Sequence, residues 1–444
     1  MVAEDGLAGP LSSANKRQTH IFVGCTMTAS WSKAVEPTPV IEDFLKHTVN
    51  LVNGNPSYEP ASYFRFITFL MSSIEFKEEI SEHDRRIVFR KAISAFSSSD
   101  KRDSKMLIWH INSHAHSYLR APKLAFNVFM PVSLGFTSKF SRKIFKVEGV
   151  NIRFKHMKQC NLTFGNVLDR AKASMGIEIP AGYNCMIISV QARTAAEAMG
   201  IAQDATDKII GIINFVIGKT GIVVIGSPPV LPLNPVLVGP IQTVHDQSGA
   251  VAEDLFWYEP NPPTRKRIED ISSVEEDVAT EVRTMLKALT KTEYCSQVLG
   301  FIARYNKALS STSEDGCFIQ LWSVLESVLG AQDGGSEIMI KRMSEFFTTK
   351  AAQTQHLKAL RHLRNGNVHH GMTRSEWYPY IAQLREYVII AIKFLIFAKP
   401  KFKSFQHFLD VLDVPPQPRD INKRLARLKY EMSIYKRALK DLPT

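Results

Sequence analysis

Arginine, asparagine and histidine side chains cluster in residues 363–371, the part of the chain whose residue types are best suited to acid–base chemistry. If this segment is an α-helix, Asn365 and His369 are four positions apart and share a face, and Arg364 lies about 140° around the axis from His369. Arginine presents a permanently charged fork that matches phosphate oxygens, and histidine exchanges a proton most readily near pH 7. Metal-free cleavage of RNA needs both groups, because a 2′-hydroxyl is deprotonated, a 5′-oxygen is protonated and a phosphorane is stabilised.

An arginine and a histidine on one helix are more often ordinary surface residues, so the spacing of Arg364 and His369 leaves that alternative open. Gly366 and Asn367 favour a site, because both form helices poorly and yet fall in the middle of the predicted helix. Residues that weaken a helix without a local reason indicate a constraint other than stability. Gly371 is expected to end the helix.

A carboxylate falls on the apolar stripe of a second predicted helix, over 316–329. The stripe includes Ile319, Trp322 and Leu329, and Glu326 lies within it. A carboxylate removed from water needs a partner, for which an arginine or histidine from a neighbouring helix is the natural candidate. The alternative is that Glu326 lies at the edge of the stripe, in water.

The motif helix resembles the HEPN superfamily, whose hallmark is an arginine, a polar residue and a histidine a few positions later: here Arg364, Asn365 and His369. The upstream helix, with Trp322 four positions before Glu326, and the Val-His-His-Gly ending of the motif are similar to the Apea-like branch of that superfamily. The resemblance covers about residues 270–400, under a third of the chain. It implies a helical bundle that pairs with a second copy, so that two motif helices form one composite site.

HEPN ribonucleases cleave RNA without a metal or other cofactor, and many serve as toxins or phage-defence effectors. The resemblance therefore implies an endoribonuclease that acts on RNA as a homodimer. By motif position, Arg364 would bind and polarise the scissile phosphate, His369 would be the general acid and base, and Asn365 would orient His369 or the substrate. Glu326 would buttress Arg364, and His370 has no firm role beyond a stacking or substrate contact. Because some HEPN proteins are non-catalytic, the alternative is an adaptor that binds nucleic acid or a partner protein.

Positive charge and aromatic residues are interleaved from Ala121 to Cys160. This stretch has eight basic residues against a single acid, together with six phenylalanines. Positive charge for a nucleic-acid backbone and aromatic faces for bases is the composition of single-strand binders. The nucleic-acid-binding candidates are Lys139, Arg142, Lys143, Lys146, Arg153 and Lys155. The alternative is that the phenylalanines, at strand spacing, form a core while the lysines face water.

Composition restricts the class of protein. The chain has 444 residues, of which 45% are hydrophobic and 22% charged, which excludes a wholly disordered or collagen-like protein and predicts two or three domains. A net charge of +12 favours polyanionic partners such as RNA. Five cysteines without a CxxC pair argue against a disulfide framework or a cysteine zinc site. With no signal peptide and no membrane-spanning stretch in the sequence, we expect a cytoplasmic protein. The resemblance to HEPN ribonucleases implies that it needs no metal or cofactor.

The order of patterns along the chain predicts an α+β protein that is mostly helical, with a C-terminal all-α helical bundle preceded by an N-terminal mixed α/β region. The resemblance implies that this bundle is of the HEPN type. Five segments are expected: a flexible tail (1–18), a mixed and largely helical region (19–120), an α/β domain with a sensor or regulatory role (121–259), the HEPN helical bundle (268–400) and a basic helical extension (401–444). No motif identifies the trigger or antitoxin that would control the nuclease.

Local signals predict individual elements within these segments. Helices are expected over 39–51 and 81–96, and from the capping box of Thr194 and Glu197 to Gly218. Strands are expected at 21–23, 123–132, 143–155, 185–192 and 222–225. The proline-rich stretch 260–263 is expected to be a linker.

Overall fold

The computed structural model describes residues 28–52, 55–218, 231–253, 256–263, 268–331, 335–370, 377–399, 401–413, 422–423 and 425–433, with side chains for all of them except 48–52, 55 and 368–370. The tail expected at 1–18 and the strands expected at 21–23 and 222–225 lie outside the described residues. Of the described residues, 58% are helical and 15% lie in strands. This confirms the prediction of a mostly helical α+β protein with an N-terminal α/β region.

Helices account for most of the described chain. They are α1 (Thr38–Lys46), α2 (Pro60–Ser73), α3 (Glu82–Ser97), α4 (Ser104–Arg120), α5 (Ser138–Ser141), α6 (Val167–Met175), α7 (Ala195–Ile217), α8 (Glu275–Leu289), α9 (Cys295–Leu309), α10 (Glu314–Val328), α11 (Gly335–Ser344), α12 (Lys350–His370), α13 (Tyr378–Phe397) and α14 (Phe405–Leu412). The strands are β1 (Ala29–Trp31), β2 (Thr48–Val52), β3 (Asn55–Tyr58), β4 (Ile74–Phe76), β5 (Leu124–Val132), β6 (Leu134–Gly135), β7 (Ile144–Val147), β8 (Val150–Lys155), β9 (Asn184–Ala192), β10 (Ile241–His245), β11 (Trp257–Tyr258) and β12 (Glu269–Asp270). Residues 422–423 and 425–433 are also helical.

Most of the predicted elements within the described residues are confirmed. Helix α3 matches 81–96, strands β5 and β9 match 123–132 and 185–192, and the stretch 143–155 is the β7–β8 hairpin. The helix predicted over 39–51 is wrong in its second half, because α1 ends at Lys46 and the chain continues as β2. Three of the five residues of β2 are β-branched, and the strand pairs antiparallel with β3.

The predicted capping box forms at the start of α7, with one difference. The Thr194 hydroxyl accepts a hydrogen bond from the backbone N–H of Glu197 at 3.0 Å, as expected. The Glu197 carboxylate reaches one residue further back than the motif requires and accepts from the backbone N–H of Arg193 at 2.5 Å. It also accepts from the Arg193 guanidinium at 2.7 Å, so a largely buried ion pair anchors the helix start.

The chain forms two compact units that are each discontinuous in sequence. The first unit contains residues 1–133, 141–205 and 238–262, and the second contains 134–140, 206–237 and 263–444. Helix α7 contributes its first eleven residues to the first unit and the remainder to the second.

The first unit combines helices α1–α4 with a six-stranded antiparallel sheet. The strand order in the sheet is β11-β10-β5-β9-β8-β7, and β5 pairs with β9 along its whole length, from Leu124 opposite Ala192 to Val132 opposite Asn184. The helices surround a separate aromatic core in which the Phe44 and Phe66 rings stack with centroids 4.1 Å apart. Non-local strand pairing and apolar burial therefore hold together segments that are far apart in sequence.

The second unit is built mainly from helices α8–α14. Helix α10 packs against α9, α12 and α13 around a core that contains the fully buried Phe318 and Trp322. The segment 134–140 joins this unit, because β6 pairs parallel with β12 and the Glu275 carboxylate accepts from the Thr137 backbone N–H at 2.8 Å. Among the described residues, no helix is long and apolar enough to span a membrane.

Candidate active site on helix α12

Helix α12 carries the predicted arginine and asparagine near its C-terminal end. Leu357 and Leu360 mark the inner face of this helix, with 0% and 2% of their surfaces exposed. Spacings of three and four residues continue that face to Arg364, so the arginine occupies a position where the helix would ordinarily bury an apolar side chain. The sequence of the helix therefore places the permanently charged side chain of Arg364 on the inner face.

Arg364 is half-buried and incompletely hydrogen-bonded. Its Nη1 donates to the Oδ1 of the exposed Asn365 at 3.2 Å. Its Nε is buried and has no hydrogen-bond partner among the described residues. Buried donors are almost always paired in folded proteins, and leaving one unpaired costs about 1–3 kcal/mol. The guanidinium thus keeps bonding capacity that an oxyanion would satisfy.

The surroundings of Arg364 on the helix are positively charged. The 21 residues of α12 include no acid, and its lysines and arginines are Lys350, Lys358, Arg361 and Arg364. Lys350 pairs with Glu345, and Arg361 pairs with Glu337. Lys358 and Arg364 have no ion pair with a described residue, and their positive charge favours binding of an anion on this helix.

The backbone of α12 is helical through His370, so His369 lies one turn beyond Asn365 as the spacing predicts. Gly366 is buried and Asn367 is half-buried, and both are accommodated within the helix. The side chains of His369 and His370, and the helix end expected at Gly371, lie outside the described residues. One helix therefore carries the whole Arg–Asn–His motif.

Glu326 has a different partner from the one expected. The buried indole of Trp322 donates its Nε1–H to Glu326 Oε1 at 2.7 Å, one turn away on the same helix. A buried tryptophan needs an acceptor for its N–H, and the i,i+4 spacing supplies one. Glu326 is half-buried, and among the described side chains it forms no ion pair with Arg364. No described contact therefore supports the expected role of Glu326 in holding Arg364. The four-residue spacing of Trp322 and Glu326 was the sequence feature that indicated the bond that does form.

The basic stretch 121–160 divides into a buried aromatic set and an exposed charged set. Its six phenylalanines are all at most 8% exposed: Phe126, Phe129, Phe136, Phe140, Phe145 and Phe154. They form core, as the alternative interpretation held, so they cannot stack on bases. The charged candidates lie on the surface or half-buried: Lys139, Arg142, Lys143, Lys146, Arg153 and Lys155. Lys139 belongs to the second unit and the other five to the first.

No group of three or more potential metal ligands occurs in the part of the chain that the structure describes. In comparisons with known proteins, no family model, curated protein or solved structure matches the chain. What the site does must therefore be inferred from its own residues.

Proposed function

We propose that this protein is a metal-independent endoribonuclease of the HEPN type, active as a homodimer, that cleaves RNA at a site built on helix α12. The observation that carries the proposal is Arg364, a guanidinium on the inner face of a helix with a buried Nε that lacks a partner among the described residues. A fold retains such an incompletely paired cation at a cost in stability. Binding of a phosphate supplies the missing acceptors and accounts for that cost.

The reaction follows from the residue types on α12. His369 accepts the proton of the 2′-hydroxyl as this oxygen attacks the adjacent phosphorus, and Arg364 stabilises the negative charge of the phosphorane. His369 of the partner subunit donates a proton to the departing 5′-oxygen. The products are a 2′,3′-cyclic phosphate and a 5′-hydroxyl. The proton that one histidine removes is balanced by the proton that the other histidine donates.

The other candidates have supporting roles in this proposal. Asn365, which accepts from Arg364, orients the guanidinium, His369 or the substrate. Glu326 holds Trp322 and thereby the helix that packs against α12. His370 contacts the substrate next to the reacting phosphate, and the exposed lysines and arginines of 121–160 bind more distant parts of the RNA.

The biological role that suits such an enzyme is a cytoplasmic toxin or phage-defence effector. An unrestrained endoribonuclease harms the cell that makes it, so its activity must be controlled. Residues 121–259, which carry no nuclease motif, are the proposed sensor or regulatory domain. A trigger or an antitoxin would act there.

One observation favours a second function, a non-catalytic adaptor that binds nucleic acid or a partner protein. The Glu326 carboxylate, which was expected to support Arg364, accepts a hydrogen bond from Trp322 instead. Arg364 Nη1 donates to Asn365, the next residue of the same helix. An adaptor would use the cationic face of α12 for binding alone. Cleavage by the wild-type protein decides between the two functions.

The test is cleavage of an end-labelled RNA mixture in EDTA by the wild-type chain and His369→Ala. General acid–base catalysis contributes about 10²–10⁴ in rate, so His369→Ala should reduce cleavage by about a hundredfold or more. The matched control is His362→Ala, which removes an exposed histidine of the same helix and should leave cleavage unchanged. Arg364→Gln should also lose activity.

The product ends and the folded state of the variants complete the test. We expect 2′,3′-cyclic ends from the wild type, with unchanged circular dichroism and oligomeric state for His369→Ala. Cleavage retained in His369→Ala would place the chemistry elsewhere. If the wild-type protein and the variants bound RNA but none of them cleaved it, the result would favour the adaptor function.

A further inference from the structure

The first unit contains a cleft of about 710 Å³ between three helices. Its walls come from α2, the N-terminal half of α3 and the N-terminal part of α7, with Trp257 of β11 at one side. Sites for small molecules and cofactors commonly have volumes of about 300–1,000 Å³. The cleft is thus large enough for a nucleotide-sized ligand, and the function proposed above makes no use of it.

Helix α3 gives the cleft a cationic wall. His83, Arg86, Ile87 and Arg90 line it at spacings of three and four residues, so they form one stripe of the helix. Arg86 pairs with the exposed Glu82, which also lines the cleft, whereas Arg90 and His83 form no hydrogen bond or ion pair with any described residue. Arginine forks of this kind bind phosphate groups.

Helix α2 gives the cleft an aromatic wall. Tyr63 and Phe64 line it, and the Phe64 ring is 71% exposed, the largest exposed fraction among the bulky apolar side chains of the described residues. A phenylalanine left in water at the edge of a cleft provides a flat surface on which a heterocyclic base can stack. Trp257 adds a second aromatic surface and is largely buried.

Helix α7 keeps the cleft open because its lining residues include small ones. Ala196 and Gly200 are one turn apart. A Cβ added at Gly200 would have no neighbour closer than Ser81 Cβ at 3.9 Å. The space next to Gly200 is therefore open, although Met199 and Gln203 of the same helix also line the cleft.

A buried carboxylate links α3 to the start of α7, two of the helices that line the cleft. Asp84 of α3 accepts from the hydroxyls of Ser81 at 2.5 Å, Tyr118 at 3.1 Å and Thr194, the cap of α7, at 3.0 Å. Hydrogen bonds that hold α3 against the start of α7 preorganise the cleft before a ligand arrives.

We propose that this cleft binds a nucleoside phosphate, with the base stacked on Phe64 and the phosphates held by Arg86 and Arg90. The cationic and aromatic walls supply the two halves of such a ligand, and its size suits the cleft. An uncharged apolar ligand would leave the arginines unused, and inorganic phosphate alone would leave the aromatic wall unused. The proposal concerns the first unit alone and does not rest on the nuclease function.

The test is calorimetric titration of the full chain with ATP, GTP, CTP and UTP, each up to about 5 mM. Because Arg90 would donate hydrogen bonds to a charged phosphate, Arg90→Gln should weaken binding about tenfold or more. Lys91→Gln is the matched control, since it removes the same charge from the neighbouring residue, which is exposed and does not line the cleft. Gly200→Leu should block the cleft without any change in charge.

Two partial ligands separate the halves of the proposed site. Pyrophosphate and the nucleoside of the tightest-binding nucleotide should each bind at least about tenfold more weakly than that nucleotide. The proposal is supported if one nucleotide binds wild type and Lys91→Gln alike and Arg90→Gln much more weakly. It is overturned if no nucleotide binds, if Arg90→Gln binds like wild type, or if either partial ligand binds as tightly as the nucleotide.

Discussion

Replacing two glycines of helix α7 by alanine should change the free energy of unfolding in opposite directions. Gly200 and Gly211 lie on the same helix, both away from its ends. At Gly200 a new Cβ would have only Ser81 Cβ nearby, at 3.9 Å. At Gly211 it would lie 2.9 Å from Ile302 Cγ2 and 3.0 Å from the Ile302 carbonyl oxygen. The substitution is the same, and only the packing differs.

The expected magnitudes follow from helix propensity and packing. Alanine is favoured over glycine inside a helix by about 1 kcal/mol, so Gly200→Ala should raise the unfolding free energy by about that amount. Gly211→Ala has the same gain, but overpacking costs about 1–3 kcal/mol, and here a backbone oxygen stands in the way. The net effect at Gly211 should be a loss of about 1 kcal/mol.

Urea unfolding followed by circular dichroism measures both effects, and hydrogen exchange of the α7 peptides assigns them to the two parts of the helix. Exchange is needed because a chain with two units need not unfold in one step. If both variants gained stability, the close approach of Ile302 to Gly211 would be refuted. If both lost stability, the open space at Gly200 would be refuted, and with it the shape of the cleft.

Three further predictions concern buried polar groups. Asp84→Ala should lower the unfolding free energy by about 3 kcal/mol in a denaturant titration, because three hydroxyls lose their shared acceptor, and Asp84→Asn should cost less because it keeps one acceptor oxygen. Arg342→Leu should cost about 3 kcal/mol, because the buried guanidinium donates to the Leu329 and Gly330 carbonyls and pairs with Asp413. Burial lowers the pKa of His245 below its usual value near 6.5. The unfolded chain therefore binds a proton that the folded chain excludes, and the stability contribution of His245 should fall as pH drops below about 6.5, by at most about 1.4 kcal/mol per pH unit.

The controls for these three predictions use the same assays. Asp84→Asn that costs as much as Asp84→Ala would show that charge, not hydroxyl bonding, matters in the cluster. Asp413→Ala should cost less than Arg342→Leu, since the arginine keeps its two carbonyl acceptors. The difference between the melting temperatures at pH 7.5 and pH 5.5 should be smaller for His245→Gln than for the wild type. An identical pH dependence of the two proteins would contradict the assignment to this residue.

Elements with strong local signals were predictable from the sequence. Helix α3 and strands β5 and β9 follow from periodicity, and the start of α7 follows from the capping box. The helix expected over 39–51 failed because apolar spacing alone does not separate a helix from a paired strand. The Asn-Gly pair at 53–54, a strong hairpin signal, lies in the sequence between β2 and β3, which pair antiparallel.

The helix that carries the candidate site could be predicted from the sequence, but the contacts of the site residues could not. The placement of Arg364 and Asn365 on one helix follows from their spacing, but the burial of the guanidinium depends on what packs against Leu357 and Leu360. The partner of Glu326 was missed because a neighbouring helix was expected, whereas the indole one turn away was closer. The basic stripe of α3 was not predicted from the sequence, because its importance depends on the cleft it lines, which forms only in the tertiary fold.

The discontinuous units have a consequence for how the protein is made. The chain passes between the units after residues 133, 140, 205, 237 and 262, so neither can be completed from a single stretch of nascent chain. Thr137 can form its hydrogen bond with Glu275 only after a further 138 residues have been synthesised. At about 5–20 residues per second, that delay is roughly 7–28 s. Any activity that needs the second unit is therefore delayed until the residues after 262 have been synthesised.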